Sequence, residues 1–370
     1  METHYEKVIT GTPKASLAPY DGDLAKACLA MAQKGRSECC VKLMAEFARP
    51  DASGSFLAYA ESERGQAMAQ YIDNMITLTG RSIGSRSGEI TTQLLMAWQF
   101  ARYENGGLRT YVVEPGLQRR LLATELRNIR CQDLRLPYPC IYVCMDEALG
   151  FRVYNEGTGW HSLVGIYLTE DDGGLRVMTC GKGDGLDDAL SHFHLPLAKD
   201  PEAPLDDVLD ALANRVRTQD KAWAESQGMG SAAIDDLLDS WFSAFKWVMN
   251  LVFYVTHSEP GENIEMNKEA RRLWQRASKL PRGPKRKSLV ARANALPSRQ
   301  RIVVGRGVKV DKSLPRSTGE VRALLTRTLV AGHWQRYAVG PKRAKREWRF
   351  KEPFWRGQGS EEGSNVHEVR

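Results

Sequence analysis

The chain has 370 residues, 42% of them hydrophobic, seven cysteines and a formal net charge of +7. A chain of this length can bury a substantial hydrophobic core and is long enough for about two domains. Residues 1–6 show no secretory signal pattern, and the longest apolar stretch, residues 241–256, falls short of the roughly 20 residues that span a bilayer. The cysteines lack the spacing of a disulfide framework. We therefore expect a soluble, cytoplasmic protein.

The charge is divided unequally along the chain. Residues 268–356 contain 26 Lys and Arg against 5 Asp and Glu, a net charge of +21, whereas residues 1–267 contain 25 against 37, a net charge of −12. A segment this basic attracts polyanions, because neutralising phosphates releases condensed counterions. Nucleic acid is the first candidate partner. The alternative is that the basic segment packs against the acidic part of its own chain.

Helical spacing of apolar residues dominates the first part of the chain. It predicts a helical N-terminal region over residues 1–135, with a turn-rich break at residues 80–88. The individual helices are predicted over residues 23–48, 56–78, 89–103 and 117–128.

Short runs rich in β-branched and aromatic residues follow from Pro139 onward, separated by glycine-rich turns. Their direct succession predicts an antiparallel meander of about four strands and argues against parallel pairs, which need crossovers of a dozen or more residues. The predicted strands cover residues 140–144, 151–154, 161–169 and 175–180.

Helical patterning returns over residues 205–225 and 232–254, and the second of these segments is apolar nearly all round. Such a helix is expected at the centre of a domain, covering the sheet. The fold class is therefore predicted as α+β, with an α+β body over residues 136–258.

The remaining chain is basic and rich in proline. Residues 259–300 are predicted to be a basic linker and residues 301–356 a basic, aromatic C-terminal module, followed by a disordered tail over residues 357–370. Within the module we expect a short strand at residues 301–305, a short helix at residues 320–328 and a compact β-rich tail at residues 332–354.

No motif of a known catalytic centre is present. The stretch Gly181-Lys-Gly-Asp-Gly lacks the spacing of a phosphate-binding loop, and no Gly-x-Ser-x-Gly elbow occurs. His192 and His194 have no cysteine or histidine pair at ligand spacing downstream. We predict no catalytic activity, no metal and no small-molecule cofactor. A nuclease site assembled from distant carboxylates is the alternative.

The C-terminal module interleaves aromatic rings with Arg and Lys. Stacking of a base on such a ring contributes roughly 1–3 kcal/mol, so two exposed rings and several cations suffice to bind RNA. The alternative is that Trp334, Trp348 and Trp355 form the small core of a hairpin. The candidate nucleic-acid-binding residues are His333, Trp334, Arg336, Tyr337, Lys342, Arg343, Lys345, Arg346, Trp348 and Arg349.

Three stretches together resemble a known family. They are Leu136-Pro-Tyr-Pro-Cys-Ile-Tyr-Val, the step Glu259-Pro260 with Ile264, and Gly332-His-Trp followed by Tyr337, Gly340, a basic run and Trp348. The family is encoded on phages, plasmids and integrative elements, and its best-understood member is an anti-CRISPR protein that acts against the type V-A nuclease. The segment before Gly332 departs from that member, which has more Arg and an extra His there.

The resemblance implies a non-enzymatic regulator that recognises the nascent peptide of the nuclease and causes loss of its mRNA. The expected partners are that nascent polypeptide and RNA or the translating ribosome, with no membrane. The candidate partner-binding residues are Tyr142, Trp355 and Arg356. Trp and Arg are residue types that are enriched at protein interfaces. The alternative function is a nucleic-acid-binding regulator of plasmid or phage maintenance, which needs only the basic tail.

Overall fold

The computed structural model describes most of the chain between residues 56 and 356. The described ranges are 56–79, 86–155, 159–171, 173–182, 190–226, 231–258, 263–265, 300–310 and 328–356, with isolated positions between 272 and 289. The predicted helix at residues 23–48, residues 320–327 of the predicted short helix, most of the predicted linker and the predicted disordered tail lie outside them.

Three helices form the first layer, namely α1 (Phe56–Glu61), α2 (Glu63–Thr79) and α3 (Arg86–Asn105). The single helix predicted at residues 56–78 is interrupted at Ser62. The Ser62 hydroxyl donates to the Tyr59 carbonyl at 2.6 Å and accepts from the Gly65 backbone N–H at 3.1 Å, so it ends α1 and caps α2. The predicted break at residues 80–88 ends earlier than expected, because α3 has already begun at Arg86.

An eight-stranded sheet forms the middle layer. The strands are β1 (Arg109–Val113), β2 (Cys140–Cys144), β3 (Arg152–Asn155), β4 (Gly159–Asp171), β5 (Gly174–Gly181), β6 (Leu190–Leu195), β7 (Asn263–Glu265) and β8 (Gln300–Val304). Their order in the sheet is β6-β5-β4-β2-β1-β8-β7, with β3 paired to β4. The antiparallel pairs β2–β4, β3–β4 and β4–β5 confirm the four strands that were predicted.

The prediction that the sheet lacks parallel pairs is wrong. Strand β1 pairs in parallel with both β2 and β8, and the chain between β1 and β2 makes the long crossover that a parallel pair requires. This crossover contains α4 (Pro115–Leu122), which is shorter than the helix predicted at residues 117–128. Strand β8 confirms the short strand predicted at residues 301–305, and its pairing with β1 brings residues 109–113 of the predicted helical region into the same sheet.

Two long helices, α5 (Leu205–Ser226) and α6 (Ser231–His257), cover the opposite face of the sheet. Alternate residues of β2 separate the two cores: Ile141 and Val143 join the core beneath α6, whereas Tyr142 joins the one beneath α3. Phe245 and Trp247 of α6 are almost completely buried. The mixed α+β class and the central position of α6 are therefore confirmed.

Four short strands complete the fold at the C-terminal end. Strands β10 (His333–Val339) and β11 (Lys345–Lys351) form an antiparallel hairpin, and β9 (Thr328–Val330) pairs with β12 (Phe354–Arg356). The predicted β-rich tail is confirmed. The hairpin is not a free appendage, because one of its faces packs on α6. None of the described helices is long and apolar enough to cross a membrane.

We predict that the buried imidazole of His192 lowers the free energy of unfolding in mild acid. It lies opposite Met178 on the face of the sheet beneath α3, and burial, followed by the charge of Arg176, lowers the pKa of its imidazole to about 3. Below pH about 6.5 the unfolded chain binds a proton that the folded protein does not, so stability is lost as the pH falls from there towards 3. Denaturant unfolding at pH 7 and pH 5 should show this loss.

The variant His192→Gln isolates the contribution of this one group. The difference in unfolding free energy between the wild type and this variant should change by about 2 kcal/mol between pH 7 and pH 5, with the wild type losing more. A pH-independent difference would contradict the assignment.

Candidate nucleic-acid interface

The β10–β11 hairpin sorts the predicted binding residues onto two faces. Side chains alternate along a strand, and directly opposed residues of an antiparallel pair share a face. The pairs Trp334–Phe350 and Arg336–Trp348 therefore point to one side. The pairs His333–Lys351, Gln335–Arg349, Tyr337–Glu347 and Val339–Lys345 point to the other.

The first face packs on the C-terminal part of α6, and we call it the inner face. The Phe253 ring lies 5.1 Å from that of Trp334 and 5.3 Å from that of Trp348, both nearly edge-on, and Tyr254 contacts Phe350 at 5.8 Å. Trp334 is fully buried and Trp348 is partly buried. Trp334 therefore offers no face to a base, and its predicted stacking role is corrected to a core role.

A buried amide holds the inner face to α6. The Trp334 indole Nε1 donates to Asn250 Oδ1 at 3.0 Å, and Asn250 Nδ2 donates to the Thr124 carbonyl at 2.9 Å. Asn250 and Trp334 are both 0% exposed. Because an unpaired buried polar group costs roughly 1–3 kcal/mol, these bonds favour one orientation of the hairpin on the helix.

The second face, which we call the outer face, carries cations around one aromatic ring. The Arg349 guanidinium lies 5.3 Å from the centre of the Tyr337 ring, and the Lys351 ammonium lies 5.2 Å from it. Arg349, Lys351 and Lys345 are exposed, and none of them has an ion pair among the described residues. This arrangement suits the phosphates of a nucleic acid, with Tyr337 as the available ring.

The turn of the hairpin adds further positive charge. Arg343 has a backbone φ of 58° in the turn between the strands, and its side chain is exposed. Arg346, next to the turn in β11, is also exposed and opposes Ala338 on the inner-face side of the hairpin. Lys342 lies in the same turn, although its side chain is outside the described residues. His333, on the outer face, is partly buried and contacts the Ala331 carbonyl at 3.5 Å.

Intramolecular neutralisation of the hairpin is limited. Arg336 forms an ion pair with Asp133 and lies over the Trp348 ring at 4.7 Å, so this predicted RNA contact is engaged within the protein. Arg120 pairs with Glu352 next to the hairpin. The alternative prediction, that the basic segment packs against the acidic part of its own chain, is thus correct for Arg336. The cations of the outer face form no such ion pairs within the described part of the chain.

The predicted partner-binding residues are not brought together on one surface. Tyr142 is 2% exposed and contacts Tyr103 and Tyr167 beneath α3, so it cannot touch a partner directly. Trp355 and Arg356 pair through their backbones with Leu329 and Thr328, and their side chains lie outside the described residues. Lys351 was not among the candidate binding residues, and the structure places it on the outer face, opposite His333.

No group of three or more His, Cys, Asp or Glu side chains suited to a metal ion occurs among the described residues. His192 and His194 lie on strand β6. Burial raises the pKa of the Cys140 thiol to about 12, which is typical of a cysteine that acts as a small core residue.

We expect the triple variant Lys345→Ala/Arg349→Ala/Lys351→Ala to bind a fluorescein-labelled single-stranded oligouridylate more weakly. Removing three phosphate contacts should reduce the slope of log affinity against log salt by about 2. Fluorescence anisotropy titrations over a range of salt concentrations measure both quantities.

The matched control for that experiment is Arg127→Ala/Lys199→Ala/Arg215→Ala, which removes three exposed cations outside the hairpin. It has the same net charge as the test variant and should keep the wild-type slope. An equal loss in both variants would mean that net charge, and not the outer face, determines binding.

We expect Trp334→Ala to lower the free energy of unfolding by about 3–5 kcal/mol, because a large ring is removed from a closed core. Lys345→Ala, at an exposed position of the same hairpin, should change it by less than about 0.5 kcal/mol. Urea denaturation followed by far-ultraviolet circular dichroism provides the comparison, and equal effects of the two substitutions would refute the buried placement of Trp334.

Comparison with known proteins places the chain in a family. The model of the AcrVA2-like family, described as the anti-CRISPR type V subtype A2 family, matches residues 111–357, which is two thirds of the chain. A similar solved structure is the crystal structure of AcrVA2, with 13% sequence identity, a TM-score of 0.44 and coverage of 96% of this chain and 99% of that chain. No curated protein sequence matches significantly. The family match confirms the resemblance in the sequence at the level of the family, and the chain belongs to the AcrVA2-like anti-CRISPR family of type V subtype A2.

Proposed function

We propose that this protein is a non-enzymatic anti-CRISPR regulator that recognises the nascent peptide of the type V-A nuclease and promotes loss of its mRNA. The observation that carries the proposal is the extent of the family match. It runs from β1 to just beyond β12 and thus includes both the sheet with α6 and the cationic hairpin. In this proposal the α+β body recognises the peptide and the hairpin contacts RNA or the ribosome.

The electrostatics of the hairpin support a contact with RNA. Lys345, Arg349 and Lys351 lie on one exposed face around Tyr337, while the opposite face is fixed to α6. A surface supported in this way presents its cations with little loss of backbone freedom on binding. Positive charge at this density also accelerates encounter with a polyanion such as mRNA or ribosomal RNA.

The second candidate function is a nucleic-acid-binding regulator of plasmid or phage maintenance. The observation that favours it is the same outer face, because nucleic-acid binding by that face would need no peptide-binding body. Sedimentation with ribosomes in the presence and absence of puromycin separates the two candidates. Release of the nascent chain should release the protein only if it recognises that chain.

The proposal is tested by expressing the protein together with a type V-A nuclease gene and measuring the nuclease mRNA and protein. We expect the message to fall, and to remain at its normal level when a stop codon replaces an early codon of the nuclease, because no nascent peptide is then made. The outer-face variant Lys345→Ala/Arg349→Ala/Lys351→Ala should restore the message, while Arg127→Ala/Lys199→Ala/Arg215→Ala should not.

Unchanged levels of nuclease message and protein with the wild-type regulator would reject this function. A nuclease activity of the regulator itself is tested separately, by incubating the purified protein with RNA and Mg²⁺. Cleavage under these conditions would contradict the non-enzymatic mechanism.

A further inference from the structure

A second surface lies on the N-terminal half of α6, away from the hairpin. It is an open groove of about 760 Å³ between α5, α6 and the β3–β4 pair. Of its large apolar lining residues, Trp160 of β4 is partly exposed, whereas Leu238 and Phe242 of α6 are buried. Asp210, Asp236 and Asp239 are exposed along it. The groove is therefore amphipathic, with apolar surface beside carboxylates.

The strand side of the groove is held by a two-way hydrogen bond. Ser240 Oγ accepts from the Arg152 backbone N–H at 2.6 Å and donates to the Arg152 carbonyl at 2.9 Å. The Arg152 guanidinium lies over the Trp160 ring at 4.3 Å, and Tyr154 contacts the same ring at 5.5 Å. β3 and α6 are thus joined directly at the groove, so this wall is formed before any partner arrives.

The helix side is held by ion pairs between α5 and α6. Lys246 lies 3.3 Å from Asp206 and 3.4 Å from Asp210, and Arg217 lies 3.0 Å from Asp235. These contacts keep the two helices together at both ends of the groove. They also neutralise the Lys246 ammonium and the Arg217 guanidinium, the two lysine or arginine cations that the helices contribute to its lining.

Negative charge exceeds positive charge around the groove. The lining itself carries three aspartates and three cations. Asp206 and Asp235, which pair with Lys246 and Arg217 from outside the lining, bring the formal charge to −2. Asp236 and Asp239 are exposed and have no ion pair among the described residues. A nucleic acid is disfavoured here by repulsion, whereas a basic ligand is favoured.

We infer that this groove binds an amphipathic, positively charged peptide segment, which rests an apolar side chain on the exposed part of Trp160 and places basic side chains beside Asp236 and Asp239. Aromatic and arginine side chains in a preformed pocket are typical anchors of a peptide interface. The inference rests on the proposed function and deepens it, since it gives peptide recognition a location and a charge preference.

The groove and the hairpin then use different parts of the same helix. Ser243 is the last groove residue before Lys246, and Phe253 is the residue beneath Trp334 and Trp348. Ten residues of α-helix separate Ser243 from Phe253 by about 15 Å along the helix axis. A peptide in the groove and RNA on the outer face of the hairpin can accordingly be bound at the same time.

The charge preference is tested with two fluorescein-labelled synthetic peptides of about four helical turns. They share the same leucine positions and differ in carrying lysine or glutamate at the others. Fluorescence anisotropy with the full-length protein should show binding of the lysine peptide and at least tenfold weaker binding of the glutamate peptide. Equal binding of both peptides, or binding of neither, would overturn the inference.

The location is tested with Asp236→Asn/Asp239→Asn, which removes two charges at exposed helix positions and leaves the shape of the groove. It should weaken binding of the lysine peptide by about fivefold, as expected for the loss of two exposed ion pairs. The control Glu61→Gln/Glu104→Gln removes two exposed carboxylates elsewhere and should have no effect. Equal effects of the two variants would show that the peptide is held by the general acidity of the body.

A variant that fills the groove tests its shape independently of its charge. Asn214 is an exposed residue of α5 that lines the groove, and Asn214→Trp should fill it without altering any charge. We expect this variant to lose the lysine peptide while keeping the wild-type thermal unfolding curve and the wild-type affinity for oligouridylate. Retention of peptide affinity in a folded Asn214→Trp protein would refute the groove as the site.

The outcomes distinguish this inference from the proposed function. Peptide binding that needs the groove, in a protein that leaves the nuclease mRNA unchanged, would reject the proposed function and keep the groove as a peptide site. Loss of the nuclease mRNA that is unaffected by Asp236→Asn/Asp239→Asn and by Asn214→Trp would keep the proposed function and reject the groove.

Discussion

The Asn250 amide is the contact on which the arrangement of the C-terminal half depends. It lies at 0% exposure in the middle of an otherwise apolar stretch of α6, and it joins Trp334 of the hairpin to the Thr124 carbonyl after α4. A leucine at this position would leave both the indole N–H and the Thr124 carbonyl buried without these partners. The amide thus specifies how helix, crossover and hairpin meet.

Backbone contacts strengthen the same junction. The Gly332 N–H donates to the Ala123 carbonyl and its carbonyl accepts from the Glu125 N–H, both at 2.8 Å. A Cβ atom on Gly332 would lie 2.5 Å from Thr124 Oγ1 and 2.9 Å from the Pro353 ring, so a side chain there would push the hairpin away from the crossover. Close approach of the two segments therefore requires glycine at this position.

Because α6 is fixed in this way, it supports two surfaces of opposite charge. Its C-terminal part carries the hairpin, whose outer face presents Lys345, Arg349 and Lys351, and its N-terminal half contributes Asp236 and Asp239 to the groove. The charge separation that is visible along the sequence is thus retained in space. It would have been lost if the hairpin cations had paired with the acidic body as Arg336 does with Asp133. A protein that contacts RNA and a basic peptide together needs such a separation.

Features that depend on neighbouring residues could be predicted from the sequence alone. Helical periodicity identified α6 and its central position, the β-branched runs identified β2 to β5, and the concentration of rings and cations identified the hairpin. Features that depend on contacts between distant segments could not be predicted in this way: β1, β6 and β7 were missed, and the parallel pairing of β1 with β8 joins segments nearly 200 residues apart. The same limit applies to the inward direction of Trp334 and to the burial of Tyr142. Alternation along a strand places a side chain on one of two faces, but it does not say which face another element will cover.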